Sequence, residues 1–208
     1  MILSRIALDT AKRPTMLALY NPSMFHGAVE QAFASRTGRR LWRVDTLQGE
    51  RYLLLLSESA PDCTGIVRQF GTGEVPEMRD YAPLLERIEQ GSRWQFRLRA
   101  NPTYSKSRAE GRGSVHAHTS PEHQLRWLRE QGAAHGFAVA EDAVYSTQTR
   151  WYTFTKKSGS RVRLLGVTYE GQLTVTDAQA FREALTGGIG RGKAYGMGLL
   201  TVMRSQGV

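Results

Sequence analysis

The sequence carries a single cysteine, Cys63. One thiol cannot close an intrachain disulfide, and it excludes a cysteine-based zinc cluster. Long apolar runs are missing too. None exceeds the length of Tyr52–Leu56, a strand's length and far short of the roughly 20 residues a membrane helix needs. The opening Met1-Ile2-Leu3-Ser4-Arg5-Ile6 is too short and too mixed for a secretory leader, so a cytoplasmic protein is expected. Acidic residues are outnumbered, 19 Asp+Glu against 28 Lys+Arg. They are also scattered, with no H-x-x-x-H or D-x-D spacing, so the ligand set of a metal-dependent nuclease is not legible. His116 and His118 would share one face of an extended segment, but nothing nearby completes a metal site, and no metal or cofactor is expected.

What is present points to a folded, cationic protein. Hydrophobic residues make up 40% of the chain, with 7 Phe, 8 Tyr and 4 Trp, enough to fill packed cores. The net charge is +9 and the pI about 10.0. Such an excess favours a polyanion through steering and counterion release. No basic amphipathic helix gathers the charge for a membrane surface, so nucleic acid is the expected partner.

The pattern of elements is α+β. Met1–Leu8 puts Ile2, Ile6 and Leu8 on one face of a strand, and Asp9–Thr15, closed by Pro14, reads as a loop. Asn21-Pro22 announces a helix, Asn as N-cap and Pro at the first helical position. Phe25, Ala28, Val29, Ala32 and Phe33 then share its core side, and His26 lies roughly 100° round from their centre, at the border of buried and wet surface. Arg39–Val44 and Arg51–Ser57 read as a hairpin turning at Gln48-Gly49. Asp62 caps a helix running to Phe70, and a short strand falls near Glu77–Ala82. Strand, helix, strand, strand, helix, strand is a ferredoxin-like unit.

Gly91 marks a boundary, giving expected domains of residues 1–90 and 91–208. Arg93–Ala100 alternates, with Trp94, Phe96, Leu98 and Ala100 inward and Arg93, Gln95, Arg97 and Arg99 on the wet face. Thr103–Ser114 reads as a loop, Ser120-Pro121 as the start of a second capped helix, and Thr147–Thr155 with Arg161–Tyr169 as a second hairpin. Lys156, Lys157, Arg161 and Arg163 crowd its tip and returning strand. Leu173–Val175 reads as a further strand, Asp177 as the cap of a helix, and Leu199–Met203 as the last strand. This repeats the first order, so two tandem ferredoxin-like units use the whole chain.

Between that helix and strand lies Gly187–Gly198, holding six of the 21 glycines together with Arg191 and Lys193. Gly187 to Lys193 imitates a P-loop, but Ala194 stands where Ser or Thr would hold magnesium, and the order helix, loop, strand is the reverse of a nucleotide cradle. The loop reads instead as a close-approach backbone, with Arg191 and Lys193 as phosphate contacts.

RNA offers a cleavage route that needs no metal. Its 2′-hydroxyl can attack the adjacent phosphate if a base takes the proton, an acid protonates the leaving 5′-oxygen, and cations hold the phosphorane. Histidine can fill either proton role. Of the five histidines His26 is the best fixed, being on a capped helix.

Three stretches carry a family likeness: Asn21-Pro22-Ser23-Met24-Phe25-His26, Phe96-Arg97-Leu98-Arg99-Ala100-Asn101-Pro102, and Gly188 through Leu200. Together they resemble the CasE family, the CRISPR repeat endoribonucleases of type I-E systems. The resemblance implies two ferredoxin-like, RNA-recognition-like domains. It implies metal-independent cleavage of the repeat hairpin of precursor CRISPR RNA to a cyclic phosphate, with the mature guide RNA retained within Cascade. It also implies His26 as the catalytic histidine, and Lys156, Lys157, Arg161 and Arg163 as the grip on the RNA stem. Some relatives carry a tyrosine three residues before the histidine, where this chain has Ser23, with Tyr20 nearby as a substitute. That departure leaves a catalytically inactive repeat-RNA-binding or structural subunit as the alternative.

Overall fold

The computed structural model describes residues 1–35, 37–106, 114–156 and 159–204. The first strand is β1 (Ile2–Leu8), with Ser4, Ile6 and Leu8 buried. The expected loop after it is cut short by helix α1 (Arg13–Tyr20), which the sequence pattern did not announce. Pro14 sits in the first turn, where a missing N–H costs nothing and the fixed φ suits a helix. Helix α2 (Ser23–Gln31) follows. The residue ahead of it is Pro22, already helical, but Asn21 still caps: its Oδ1 accepts from Ser23 N–H at 3.2 Å and from the Ser23 hydroxyl at 2.5 Å.

Strands β2 (Arg40–Leu47) and β3 (Glu50–Ser57) form the expected hairpin, with Gln48 at φ 53° and Gly49 at φ 88°, a two-residue turn with both φ positive. Helix α3 (Thr64–Phe70), strand β4 (Glu77–Asp80) and a short helix α4 (Ala82–Glu86), which the sequence pattern did not announce, complete the first half. Its sheet has the order β2-β3-β1-β4, every pair antiparallel.

The second half repeats it. Strand β5 (Arg93–Ala100) leads to a small hairpin, β6 (Thr103–Lys106) and β7 (Ser114–Ala117), where a loop was expected; residues 107–113 lie outside the described residues. Helix α5 (Pro121–Ala134) is capped by Ser120, and the long strands β8 (Phe137–Thr155) and β9 (Arg161–Val175) form the second large hairpin. The separate strand expected at Leu173–Val175 is the end of β9. Helix α6 (Ala178–Gly187), capped by Asp177, and β10 (Leu200–Arg204) close the chain. The sheet order β10-β5-β9-β8 is that of the first sheet shifted along the chain. The protein is therefore α+β, two ferredoxin-like units in tandem.

Strand β3 explains how the units join. Leu53 and Leu55 face a core with Phe25, Val29, Ile66 and Phe70, built under α1, α2 and α3. Leu54 and Leu56 face the opposite way, into a core shared with Phe96, Leu98, Leu185 and Leu200 of the second unit. A strand covered on both faces reads as an unbroken apolar run, and Tyr52–Leu56 is that run.

A buried ion pair pins the same junction. Arg43 is 1% exposed and uses all five of its N–H donors. Nε and Nη2 each meet the Asp45 carboxylate at 2.6 Å. Nη1 donates to the carbonyls of Arg97 and Leu199 at 2.8 and 2.7 Å, and Nη2 to Thr201 Oγ1 at 2.7 Å. Burial alone would raise the Asp45 carboxyl, but the Arg43 hydrogen bonds and the charges of Arg43, Arg97 and Arg99 hold it below its ordinary value. The expected wet face of β5 is thus only half wet. Arg97 pairs with Asp45 and Glu170, and Arg99 donates to Gln148 and Thr168, because this face meets the first unit and β8–β9.

Candidate functional site

Helix α2 presents His26 at the junction. Its side chain is 37% exposed, and Nδ1 lies 3.9 Å from Glu30 Oε1, one turn along. Glu30 is itself held by Arg40 Nη1 at 2.5 Å. The sequence reading passed over Glu30, although its i,i+4 spacing from His26 is the signal that places it there.

The second unit reaches His26 through the glycine-rich loop. A short 3-10 turn, Lys193–Tyr195, sits between Gly192 at φ 86° and Gly196 at φ 75°. At Gly196 an added Cβ would fall 2.7 Å from the Trp42 ring, so only glycine lets this backbone lie against the first sheet. The turn so placed aims the Tyr195 ring at the His26 imidazole, edge-on with centroids 6.3 Å apart. Phe154 packs on the same ring at 5.0 Å, and Lys156 Nζ stands 5.8 Å from its centre. Tyr195 is the functional candidate that the sequence reading missed. It was visible only as one more residue among the glycines, since nothing local reveals which helix it touches.

The basic hairpin rises beside this group. Lys156, Arg161 and Arg163 are all exposed, and the main-chain bonds Lys156 N–H to Ser160 O and Gly159 N–H to Lys156 O close its turn at 2.9 Å each. Arg161 and Arg163 share one face of β9, and the Arg163 guanidinium lies 4.2 Å over the Trp151 ring. Lys157 lies outside the described residues.

Arg191 is exposed and forms a backbone bridge with Asn101 at the start of the loop. Lys193 is turned inward instead: its ammonium donates to Gly190 O at 2.7 Å, and burial, then the charge of Arg39, lower its pKa. The structure therefore sets the Tyr195 ring near His26 and also near Lys156, places Arg161 and Arg163 on the adjoining hairpin, and folds Lys193 onto its own loop.

The two residues considered in place of a tyrosine are both engaged. The Ser23 hydroxyl bonds Asn21 within the helix cap. Tyr20 is 64% exposed and lies under the Arg150 guanidinium at 4.4 Å, a contact from the first unit to β8. Cys63 is buried, and burial with Asp62 alongside pushes its thiol up to about 11, far from a reactive thiolate. Among the described residues no three His, Cys, Asp or Glu side chains gather as a metal site, and no helix is long and apolar enough to cross a membrane.

Charge separates the two halves sharply. Residues 1–90 hold 11 Lys+Arg against 11 Asp+Glu, whereas residues 91–208 hold 17 against 8 and so carry the whole +9.

A family model described as "CRISPR associated protein" matches residues 1–204. The CRISPR-associated endoribonuclease Cse3 of Thermus thermophilus is 29% identical over 215 residues, covering 97% of this chain and 99% of that one. The CRISPR system Cascade subunit CasE of Escherichia coli is 29% identical over 161 residues, 73% of each chain. A solved structure of Thermus thermophilus Cse3, bound to an RNA representing a pre-cleavage complex, superposes with a TM-score of 0.80 at 26% identity, over 97% of this chain and 98% of that one.

Proposed function

The chain belongs to the CRISPR associated protein family, and from that premise we propose that it is an endoribonuclease of the CasE type, cleaving the repeat hairpin of precursor CRISPR RNA. The reading rests first on one observation: the Tyr195 ring of the second unit meets a half-exposed histidine of the first edge-on, and a lysine ammonium of the second unit stands 5.8 Å from that same ring. Its relatives are named endoribonuclease and Cascade subunit, and one is solved with an RNA representing a pre-cleavage complex.

The chemistry follows from RNA itself. The 2′-hydroxyl oxygen forms a bond to the adjacent phosphorus while the bond to the 5′-oxygen breaks, leaving a cyclic phosphate on the upstream product. The 2′ proton must leave and the departing 5′-oxygen must gain one; we assign one of these transfers to His26, as base or as acid, with solvent water as the partner in the other. Proton transfer by a positioned side chain is worth about 10²–10⁴ in rate. Lys156 supplies positive charge for the phosphorane, and no metal takes part. Lys156, Lys157, Arg161 and Arg163 grip the stem through its phosphates, since the A-form major groove is too deep and narrow for side chains to read. Arg191 and Lys193 extend that path along the glycine-rich loop, Lys193 once it releases Gly190 O.

The units divide at about residue 90, where the Gly91 N–H already bonds Val175 O of the second sheet. The protein keeps the processed guide RNA, assembles with other Cascade subunits and works in the cytoplasm. A second reading, a binding subunit that no longer cuts, draws support from Ser23, whose hydroxyl is engaged in the helix cap. One assay separates them. A synthetic repeat hairpin incubated with the protein in EDTA should yield a single cut, with the product still bound. Tight binding with no cut favours the second reading, and cutting only after magnesium is restored would overturn the metal-free mechanism.

A further inference from the structure

Away from His26, four rings from three elements form a column. Tyr104 on β6 and His116 on β7 are directly paired across the small hairpin, their centroids 5.6 Å apart and their planes 27° from parallel. His118, just beyond β7, lies 4.9 Å from the Tyr104 ring, and His123 on α5 continues the column from His118 at 5.8 Å and 26°. The outer rings are held rather than swinging. Ser114 Oγ contacts His116 Nε2 at 2.8 Å, and Ser120 Oγ contacts His123 Nδ1 at 2.6 Å. Tyr104 is 46% exposed, and His116 and His123 are exposed as well. Rings gathered to fill a core would be buried; these are ordered in water. Burial, then the neighbouring His123, lower the His118 pKa, which favours the uncharged imidazole.

The column lies within short chain reach of the glycine-rich loop. Asn101 bridges the exposed Arg191, and Tyr104 is three residues further on, within about 11 Å of Asn101 at full chain extension. Lys106 is exposed at the end of the same strand. Stacked rings next to cations are what unpaired nucleotides bind, because every base has a π-face and every linkage a phosphate.

We propose that Tyr104, His116, His118 and His123 form a stacking platform for unpaired nucleotides flanking the bound RNA hairpin, a site separate from the grip on the stem. This rests on the reading of the chain as a hairpin-binding protein, and the test keeps the two apart. Binding of the full-length protein would be measured for a repeat hairpin alone and for the same hairpin with about six unpaired nucleotides added on its 5′ or its 3′ side. The extended RNA of one polarity should bind more tightly. The pair Tyr104→Ala, His116→Ala should remove that gain, about 10-fold or more at the stacking strength of one base, and leave hairpin affinity unchanged. Tyr104→Trp, which keeps a π-face, should restore it, and 4-thiouridine in the extension should crosslink to the β6–β7 hairpin.

Equal affinity of the wild type for hairpin and for both extended RNAs overturns the platform while sparing the hairpin reading. Failure to bind any of the three RNAs overturns both. If the alanine pair lowers the melting temperature but keeps the gain, the column serves to hold the hairpin together and the proposal falls.

Discussion

The two ferredoxin-like units share a topology and almost nothing else. The first is electroneutral, with 11 basic and 11 acidic residues in 1–90, and buries its helices on a core of Phe25, Trp42 and Phe70. The second carries the entire +9, together with the long hairpin, the glycine-rich loop and the ring column. The difference divides labour by physics. A proton-transfer group must be held within a few tenths of an ångström, which suits a short helix packed on a neutral core. A polyanion is held by many weak, long-range contacts, which suits an exposed, extended, cationic surface. The fold joins them at Arg43–Asp45, so that the rigid group stands against the charged surface.

Removing the side chain proposed to transfer the proton should give the largest effect. His26→Ala is expected to slow cleavage by about 10²–10⁴ while hairpin affinity changes by less than about 2-fold, read as single-turnover rate against equilibrium binding. Comparable losses in both measurements would mean that the first unit also binds, and the division would break.

Next comes the junction. Asp45→Ala strands the Arg43 charge in a buried place and should cost about 3–5 kcal/mol, seen as a lower denaturant midpoint. The pH dependence has a definite sign. Because the folded carboxyl is held below its ordinary value, its contribution is complete above roughly pH 4 and is lost as pH falls through the lower folded pKa. The gap between wild type and Asp45→Asn should therefore stay constant from about pH 7 to about pH 5 and close in acid. A gap that widens in acid would contradict this assignment.

Charge acts more mildly and on another observable. Alanine at Lys156, Arg161 and Arg163 together should flatten the slope of log affinity against log salt by roughly 0.7–0.9 for each phosphate that is no longer neutralised. Stability should be nearly unchanged, since all three are exposed. Neutralising Lys12, Arg51 and Arg79 of the first unit is the control, and a matching decrease in slope there would erase the contrast between the units.

The smallest expected effect is at the shared ring. Tyr195→Leu keeps bulk against Phe154 but removes the aromatic edge facing His26, worth about 0.5–1.5 kcal/mol for such a pair. Cleavage should fall a few-fold to about 10-fold with binding little affected. No change in either quantity would leave Tyr195 a packing residue.

Legibility varied with the range of the interactions. The N-terminal strand, both large hairpins and the caps at Ser120 and Asp177 were readable, because period-2 alternation, turn residues and caps act within a few positions; Asp62 stands one residue ahead of the cap position, its Oδ1 accepting from Thr64 N–H at 3.0 Å. Helix α1 was misread because Pro14 ends a pattern as readily as it starts a helix, and what decides between them is Thr15 and Ala18 finding a core. The arginines of β5 were read as wet because alternation tells which residues share a face and not what that face meets. Of the site, His26 and the cationic hairpin could be picked out by residue type and placement, helped by resemblance. Glu30 had a local signal in its i,i+4 spacing from His26 and was passed over, whereas Tyr195 and the ring column had none.

By itself, then, the sequence determined the two units, their order, the cationic excess and the histidine on a capped helix, since each is written in local spacing and composition. Tertiary structure alone decided that Leu54 and Leu56 face one core and Leu53 and Leu55 another. It also decided that Arg43 spends three of its five donors across the junction, and that Tyr195 comes near both His26 and Lys156. Those contacts join residues from about 40 to more than 150 positions apart, and the free energy that selects them comes from burying both faces of one strand at once, which no local pattern encodes.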